Sequence, residues 1–436
     1  MNFLRKQLDG VKHHFEKGGK WEKFFYMYEA FDTFLFAPNS VAAVKGVQVR
    51  DGIDMKRLMI TVIIAMTPCL LFGMYNIGHQ HYLALGIDAP FIDKFWIGIK
   101  QVVPIIIVSY VVGLGIEFAF TIFRKHPVNE GFLVTGMLIP LVMPPDVPLW
   151  QVGLATAFSV VIGKEAFGGT GMNILNVALT ARAFLYFAYP VDMAGEVWTY
   201  LPDKTQVVAG YSGATPLGIT ADFSARARQA LMTSHQAAET ATIEPSEVNK
   251  LAASAAHHLA DSLNNGHLLV DALNHSWHKG LYSFTNMFTG FIPGSVGETS
   301  TLMCLVGALI LIATGVGSWK IIVSVFGGAY IMAFFLNIIG ANEFMLLPAH
   351  YHLVMGGLAF GAVFMATDPV TAAHTESGKW IYGILIGIFT ILIRVFNPAY
   401  PEGIMLAILL MNVFAPLIDY FVVSANKKRR LQRATV

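Results

Sequence analysis

The sequence predicts an all-α polytopic membrane protein: about ten transmembrane helices in two inverted five-helix repeats with broken helices, plus a cytoplasmic N-terminal segment. Three observations predict it. Of 436 residues, 55% are hydrophobic and only 13% charged, whereas about a quarter of a soluble domain is charged. Apolar runs of spanning length recur in two groups separated by one polar stretch. The groups also share a motif spacing. Trp150, Gly153 and Lys164 match Trp380, Gly383 and Arg394, each cation falling 14 residues after its tryptophan.

Residues 1–57 mix Arg5, Lys6, Lys12, Lys17, Lys20 and Lys23 with Trp21, Phe24, Phe25, Tyr26 and Tyr28. That composition suits an amphipathic segment along the cytoplasmic membrane face or a docking tail. It lacks the apolar core of a signal peptide, so the first hydrophobic run is expected to be retained. The first repeat occupies 58–189, with spans near 58–77, 102–123, 132–143, 149–167 and 172–189. An outer-face loop fills 190–297, with 221–290 reading as an insertion. The second repeat occupies 298–424, with spans near 298–316, 319–339, 352–366, 380–396 and 402–423. A basic cytoplasmic tail, 425–436, ends the chain. The pieces 132–143 and 352–366 are short and carry Gly or Pro, the mark of broken helices whose irregular backbone must be buried or line a cavity. Val142-Met143-Pro144-Pro145-Asp146 and Phe364-Met365-Ala366-Thr367-Asp368 follow them in corresponding places.

Orientation follows from the cations. Arg124-Lys125, Lys320, Lys379 and Lys427–Arg430 all fall on one side of such a count, which places both termini in the cytoplasm and residues 190–297 outside. Other classes are excluded. Net charge of +1 gives no electrostatic basis for nucleic-acid binding. Two cysteines, Cys69 and Cys304, cannot build a disulfide framework; they read as core residues, or as half of a site shared with another subunit. No zinc spacing accompanies the loop histidines, and no dinucleotide fingerprint is present.

Chemistry concentrates in a few places. In Gly210-Tyr211-Ser212-Gly213-Ala214-Thr215-Pro216, small residues leave the Thr215 hydroxyl open to a bulky reagent. Gly168-Gly169-Thr170-Gly171-Met172-Asn173-Ile174-Leu175-Asn176 offers close backbone approach at Gly169. If helical, it sets the amides of Asn173 and Asn176 on one face; the competing reading is a helix break with asparagine caps. Acids in apolar surroundings are costly and usually functional: Glu117, Asp419 and Asp368 are the candidates for a cation pathway, with Glu165 reading equally as an ion-pair partner of Lys164. Trp21, Phe24, Glu29 and Phe184 are candidates to cover or line an apolar slot.

These motifs carry a resemblance. With Gly18-Gly19-Lys20, Val128-Asn129-Glu130-Gly131, Lys164-Glu165, Phe291-Ile292-Pro293-Gly294-Ser295, Met365–Val370 and Asn397–Gly403, the chain resembles, over nearly its whole length, the B subunits of Na⁺-translocating NADH:quinone oxidoreductases. The resemblance implies FMN joined by a phosphoester to Thr215, within a motif formed with Ser212, Gly213 and Ala214 and loaded by a flavin transferase. It departs from the family at Ala209, where an acid is usual. It further implies a non-covalent riboflavin, for which Gly169, Asn173 and Asn176 are the candidates, and ubiquinone near Trp21, Phe24, Glu29 and Phe184. Implied too are an Na⁺ route, a complex with subunits A, C, D, E and F, and the bacterial inner membrane. Two alternatives stand beside it: the D subunit of an Rnf-type ferredoxin:NAD⁺ complex, and a non-redox inverted-repeat solute channel.

Overall fold

A computed structural model describes residues 2–16, 18–36, 55–125, 131–194, 197–202, 207–208, 211, 213–222, 280–397 and 402–434. Among these the regular structure is helical, with no strand. Two helices, α1 (Asn2–Phe15) and α2 (Phe25–Leu35), form an N-terminal hairpin. The first membrane group is α3 (Met55–Ala84), α4 (Phe91–Arg124), α5 (Phe132–Val142), α6 (Leu149–Gly163) and α7 (Val177–Ala188). A short helix α8 spans 216–222 and α9 spans Phe284–Thr289. The second group comprises α10 (Thr301–Ala313), α11 (Trp319–Ile339), a broken stretch ending in a π-helical turn at Gly361–Met365, α12 (Glu376–Phe396) and α13 (Ile404–Ala434).

Five helices, α3, α4, α11, α12 and α13, are long and apolar enough to cross a membrane. Three shorter ones, α5, α7 and α10, are apolar but only 11, 12 and 13 residues long. Each expected span thus overlaps an element, with shifted boundaries. Helix α3 runs on to Ala84 rather than ending near 77, and α13 continues through the expected tail to Ala434 rather than ending near 423. Helix α4 begins at Phe91, directly after Pro90, rather than near 102, and its first turns carry Asp93, Lys94 and Lys100. Helix α7 begins at Val177 rather than 172: Asn176 caps it, its side chain accepting from Leu179 N at 3.2 Å.

Packing relies on small residues, as expected where lipid removes the hydrophobic drive between helices. A Cβ on Gly383 of α12 would collide with Ser324 of α11, and one on Gly328 of α11 with the Ile384 backbone. Gly98 of α4 meets the Met74 backbone of α3 in the same way. The halves are tied together at several places. Cys69 on α3 and Cys304 on α10 face each other, Sγ to Sγ at 3.8 Å, both as free thiols. The backbone of Val296 and Gly297 donates to Met143 O at 3.2 Å and Leu141 O at 2.7 Å, so the extended approach to α10 completes the broken end of α5. Arg182 of α7 donates to Ser295 Oγ at 3.2 Å and pairs with Glu402 at 3.3 Å.

The shared spacing has a geometric counterpart. Gly153 faces Val108 and Val112 of α4 with room for a Cβ, whereas Gly383 packs against α11 with none. Lys164 ends α6 and borders the same cavity as Leu58 at the start of α3 and Gly317 just before α11. Arg394 lies near the far end of α12, whose first residue, Glu376, pairs with Lys320 at the start of α11. About 27 Å of helix separates Glu376 from Arg394. The two matched cations therefore sit at opposite ends of the bundle.

The N-terminal hairpin is closed by Phe15 stacked on Tyr28 at 5.1 Å and by Arg5 bonded to Asp32 at 3.0 Å. Phe31 docks it on Phe118 of α4, ring centroids 5.9 Å apart.

Candidate functional site

The loop around Thr215 lies at the Arg394 end. A Cβ on Gly356 would meet both Leu217 and Arg394. Gly213 has φ +63°, a left-handed conformation that glycine adopts without strain, and Thr199 and Tyr211 crowd the place where a Cβ would be. Tyr282 donates to Ala214 O at 2.6 Å, and Thr199 shares a hydrogen bond with Tyr211 at 2.7 Å. Burial pushes Tyr211 up to about 12, against the lowering effect of Thr199. Burial, reinforced by Tyr211, raises Tyr282 further above its ordinary value. Both phenols therefore keep their protons and can hold the loop. Thr215 itself is the N-cap of α8: Gly218 N donates to its Oγ1 at 3.1 Å. The loop thus presents a half-buried hydroxyl on a fixed backbone. Ser212 and Ala209 lie outside the described residues.

At the other end, a cavity of about 110 Å³ opens between the halves. Its polar lining is Asn173, Asn176, Thr135, Thr170, Thr367, Lys164 and Asp368; Leu58, Val62, Leu138 and Phe364 supply apolar wall. The two asparagines do not share a helix face, because the backbone is irregular up to Asn176. Asn173 Nδ2 donates to Leu175 O at 3.1 Å, and Asn176 Nδ2 reaches Asp368 Oδ2 at 3.4 Å. Asp368 also accepts from Val370 N and Thr371 Oγ1, both at 3.1 Å. Behind it, the Asn412 amide accepts from Asn176 N at 3.1 Å and donates to the buried Tyr382 hydroxyl at 2.7 Å. Gly169, at φ +96°, packs over the Glu165 carboxylate and is not among the residues lining the cavity. Thr170 Oγ1 is buried and makes no hydrogen bond among the described residues. An orphaned hydroxyl beside two amides in an apolar slot suits a flat ring with a polar edge. The residues present therefore fit an isoalloxazine.

The expected acids divide. Glu117 is buried in α4 and ion-paired to Lys164, so the local pair expected between Glu165 and Lys164 does not form. Glu165 is held instead by Arg124, through its carboxylate at 3.0 Å and its carbonyl at 2.7 Å. Asp419 accepts from His374 N at 2.7 Å and Thr375 N at 3.0 Å, and from the Thr375 hydroxyl, fastening the start of α12. Asp368 joins the cavity. Of the aromatic candidates, Trp21 and Phe24 are exposed on the hairpin, 54% and 42% respectively. Glu29 belongs to the same hairpin and is half-buried. Phe184 lies apart from them, stacked on Phe158 at 4.4 Å in an apolar groove that also includes Leu409. The described structure brings Asn173, Asn176 and Asp368 together and leaves the aromatic set divided.

Several groups escaped sequence reasoning. Tyr282 was hidden within the long polar stretch read as a loop. Lys164 was legible as a repeat marker, yet its place in the cavity was not. Arg182, Glu402 and the neighbouring Glu298 form a buried charged cluster among the broken segments; an intramembrane arginine was the available signal for it.

Apolar helices of spanning length and broken segments around a polar cavity define an integral membrane protein. Residues 43–428 match the NQR2, RnfD, RnfE family, and the chain belongs to that family. It is 44% identical, over 99% of both chains, to the B subunit of the Na(+)-translocating NADH-quinone reductase of Ectopseudomonas mendocina. The corresponding B subunits of Stutzerimonas stutzeri and Chromohalobacter salexigens are each 43% identical, over 99% of this chain and 99% and 96% of theirs.

Proposed function

We propose that this chain is the B subunit of an Na⁺-translocating NADH-quinone reductase in a bacterial inner membrane. It passes electrons through covalent FMN on Thr215 and a non-covalent riboflavin in the Asn173–Asn176–Asp368 cavity to ubiquinone, coupled to Na⁺ export. Subunits A, C, D, E and F would complete the complex, with NADH oxidised elsewhere in it. The observation that carries this reading is the full-length kinship combined with a pinned Gly213–Thr215 loop and a separate fitted cavity toward the other end. The opposite placement of Lys164 and Arg394 supports two inverted repeats, with both termini on the cytoplasmic side.

This chain's residues would do the following. Tyr282 and Gly213 hold the loop so that Thr215 Oγ1 can take the phosphoester. Asn173, Asn176 and Thr170 bind the edge of the riboflavin ring, and apolar walls exclude water. A bound flavin supplies the redox chemistry itself. Glu117, Asp368 and Asp419 remain the Na⁺ pathway candidates, of which Glu117 and Asp368 are the membrane-buried ones. Trp21, Phe24 and Glu29 would approach the quinone from the hairpin, and Phe184 from its groove. Mass spectrometry of the peptide containing Thr215 tests the central claim. The expected result is a mass increase equal to an FMN phosphoester, together with loss of in-gel flavin fluorescence in Thr215→Ala. Fluorescence that survives Thr215→Ala sinks the attachment. Na⁺-stimulated quinone reduction, rather than ferredoxin-linked activity, distinguishes this reading from an Rnf-type role.

A further inference from the structure

Lys164 faces two ways. Its ammonium pairs with Glu117 inside the bundle, the lysine only 4% and the glutamate 5% exposed. It also borders the cavity that holds Asn173, Asn176 and the unpartnered Thr170 hydroxyl. Of the neighbouring acids, Glu165 is taken by Arg124 at 3.0 Å, and Asp368 on the cavity wall accepts from Asn176 Nδ2, Val370 N and Thr371 Oγ1. Lys164 is thus the cation of the cavity wall, and Glu117 its counter-charge. The Phe132 ring, 5.8 Å from Nζ, adds a weakly polar surface along which an ammonium can turn.

We propose that Lys164 is a tethered cation exchanged between Glu117 and the cavity, so that negative charge arriving in the cavity draws Lys164 away and Na⁺ replaces it at Glu117. The inference rests on the riboflavin reading above. One electron comes from a reduced flavin or iron–sulfur group preceding this site in the complex, and no covalent bond forms or breaks. Before the step, the ammonium and the carboxylate cancel beside a neutral ring. Afterwards the ammonium offsets the added electron, and one Na⁺ offsets Glu117. The charge on these groups sums to zero both times, and Asp368 contributes the same charge before and after. An unpaired carboxylate in this environment costs several kcal/mol, so electron and cation enter together. Lysine suits the exchange because its ammonium is a compact charge on a flexible four-carbon stem. Lys164 is accordingly a positioning residue: it acts on the electron through charge and on Na⁺ through Glu117.

The test is a redox titration of the non-covalent flavin in the purified complex at several Na⁺ concentrations. In the unaltered protein its potential rises with Na⁺, toward the limit of 59 mV per tenfold change for a one-electron couple. Lys164→Met leaves Glu117 permanently open to cations, so the potential falls and no longer follows Na⁺. Glu117→Gln frees Lys164 for the cavity permanently, so the potential rises and again ignores Na⁺. Lys164→Arg keeps the charge and retains part of the Na⁺ response. A purely structural pair would move both potentials in one direction or neither. Where a single variant loses its flavin, the double variant Lys164→Met/Glu117→Gln leaves no charge unpaired and carries the measurement. A potential that still tracks Na⁺ there as in the unaltered protein overturns the exchange. Asn176→Ala separates this from the underlying reading: if riboflavin content and potential survive it, the cavity is not the flavin site and both fall. If riboflavin is lost in Asn176→Ala but the Lys164 variants titrate like the unaltered protein, the exchange alone fails.

Discussion

Lys164 and Arg394 stand at the same place in the two halves and have opposite surroundings. Arg394 is fully buried and donates to three carbonyl oxygens, His352 at 2.6 Å, Met355 at 2.8 Å and Glu402 at 3.0 Å. It clamps the broken stretch and the start of α13 with a rigid fork that no carboxylate competes for directly. Lys164 has one carboxylate partner and a cavity on its other side. Arginine's planar fork satisfies several fixed acceptors at once, whereas lysine's flexible stem lets one charge serve two places. The difference teaches that one spacing can encode a structural clamp in one half and a movable charge in the other.

Arg394→Met should break the comparison hardest. It strands three buried carbonyls at about 1–3 kcal/mol each, and thermal unfolding of the detergent-solubilised protein should show it as loss of the intact species. Arg394→Lys should recover only part of the stability. Lys164→Met comes next, at about 3–5 kcal/mol for an orphaned buried carboxylate, and adding Glu117→Gln should restore most of it. If the double variant were no more stable than the single, the pair would not be the relevant partner. Gly383→Ala forces α12 away from Ser324 at a cost of about 1–3 kcal/mol, seen as a lower unfolding midpoint with the flavin still attached. Tyr282→Phe is the gentlest, removing one hydrogen bond to Ala214 O at about 1 kcal/mol. Its readout is the fraction of chains carrying flavin at Thr215, expected to fall without reaching zero.

The helical class, the two groups and the Trp–Gly–cation correspondence were legible because hydrophobic runs and small-residue contacts follow local rules. The end of α4 that carries Lys94 was missed because Asp93, Lys94 and Lys100 sit in its first turns without ending the helix. Asn173 and Asn176 were found, and of their two readings the helix break holds: the glycines that drew attention to them undo the regular backbone there, and Asn176 caps α7. Pairings such as Lys164 with Glu117, or Tyr282 with Ala214, join residues 47 and 68 positions apart. No periodicity encodes such a meeting; only the packing of α6 on α4 and the return of the chain toward the end of the long polar stretch create it.

The shortness of α5 bears on how the protein is made. Eleven residues rise about 17 Å, little more than half of the ~30 Å hydrocarbon core. At its C-terminal end the carbonyls of Leu141 and of the capping Met143 accept from Gly297 and Val296, more than 150 residues further along the chain. A ribosome must therefore deliver the chain as far as Gly297 before the first half can close. Until then α5 has no settled depth in the bilayer, and a nascent chain halted before Val296 would present an unfinished half to the membrane's quality-control proteases.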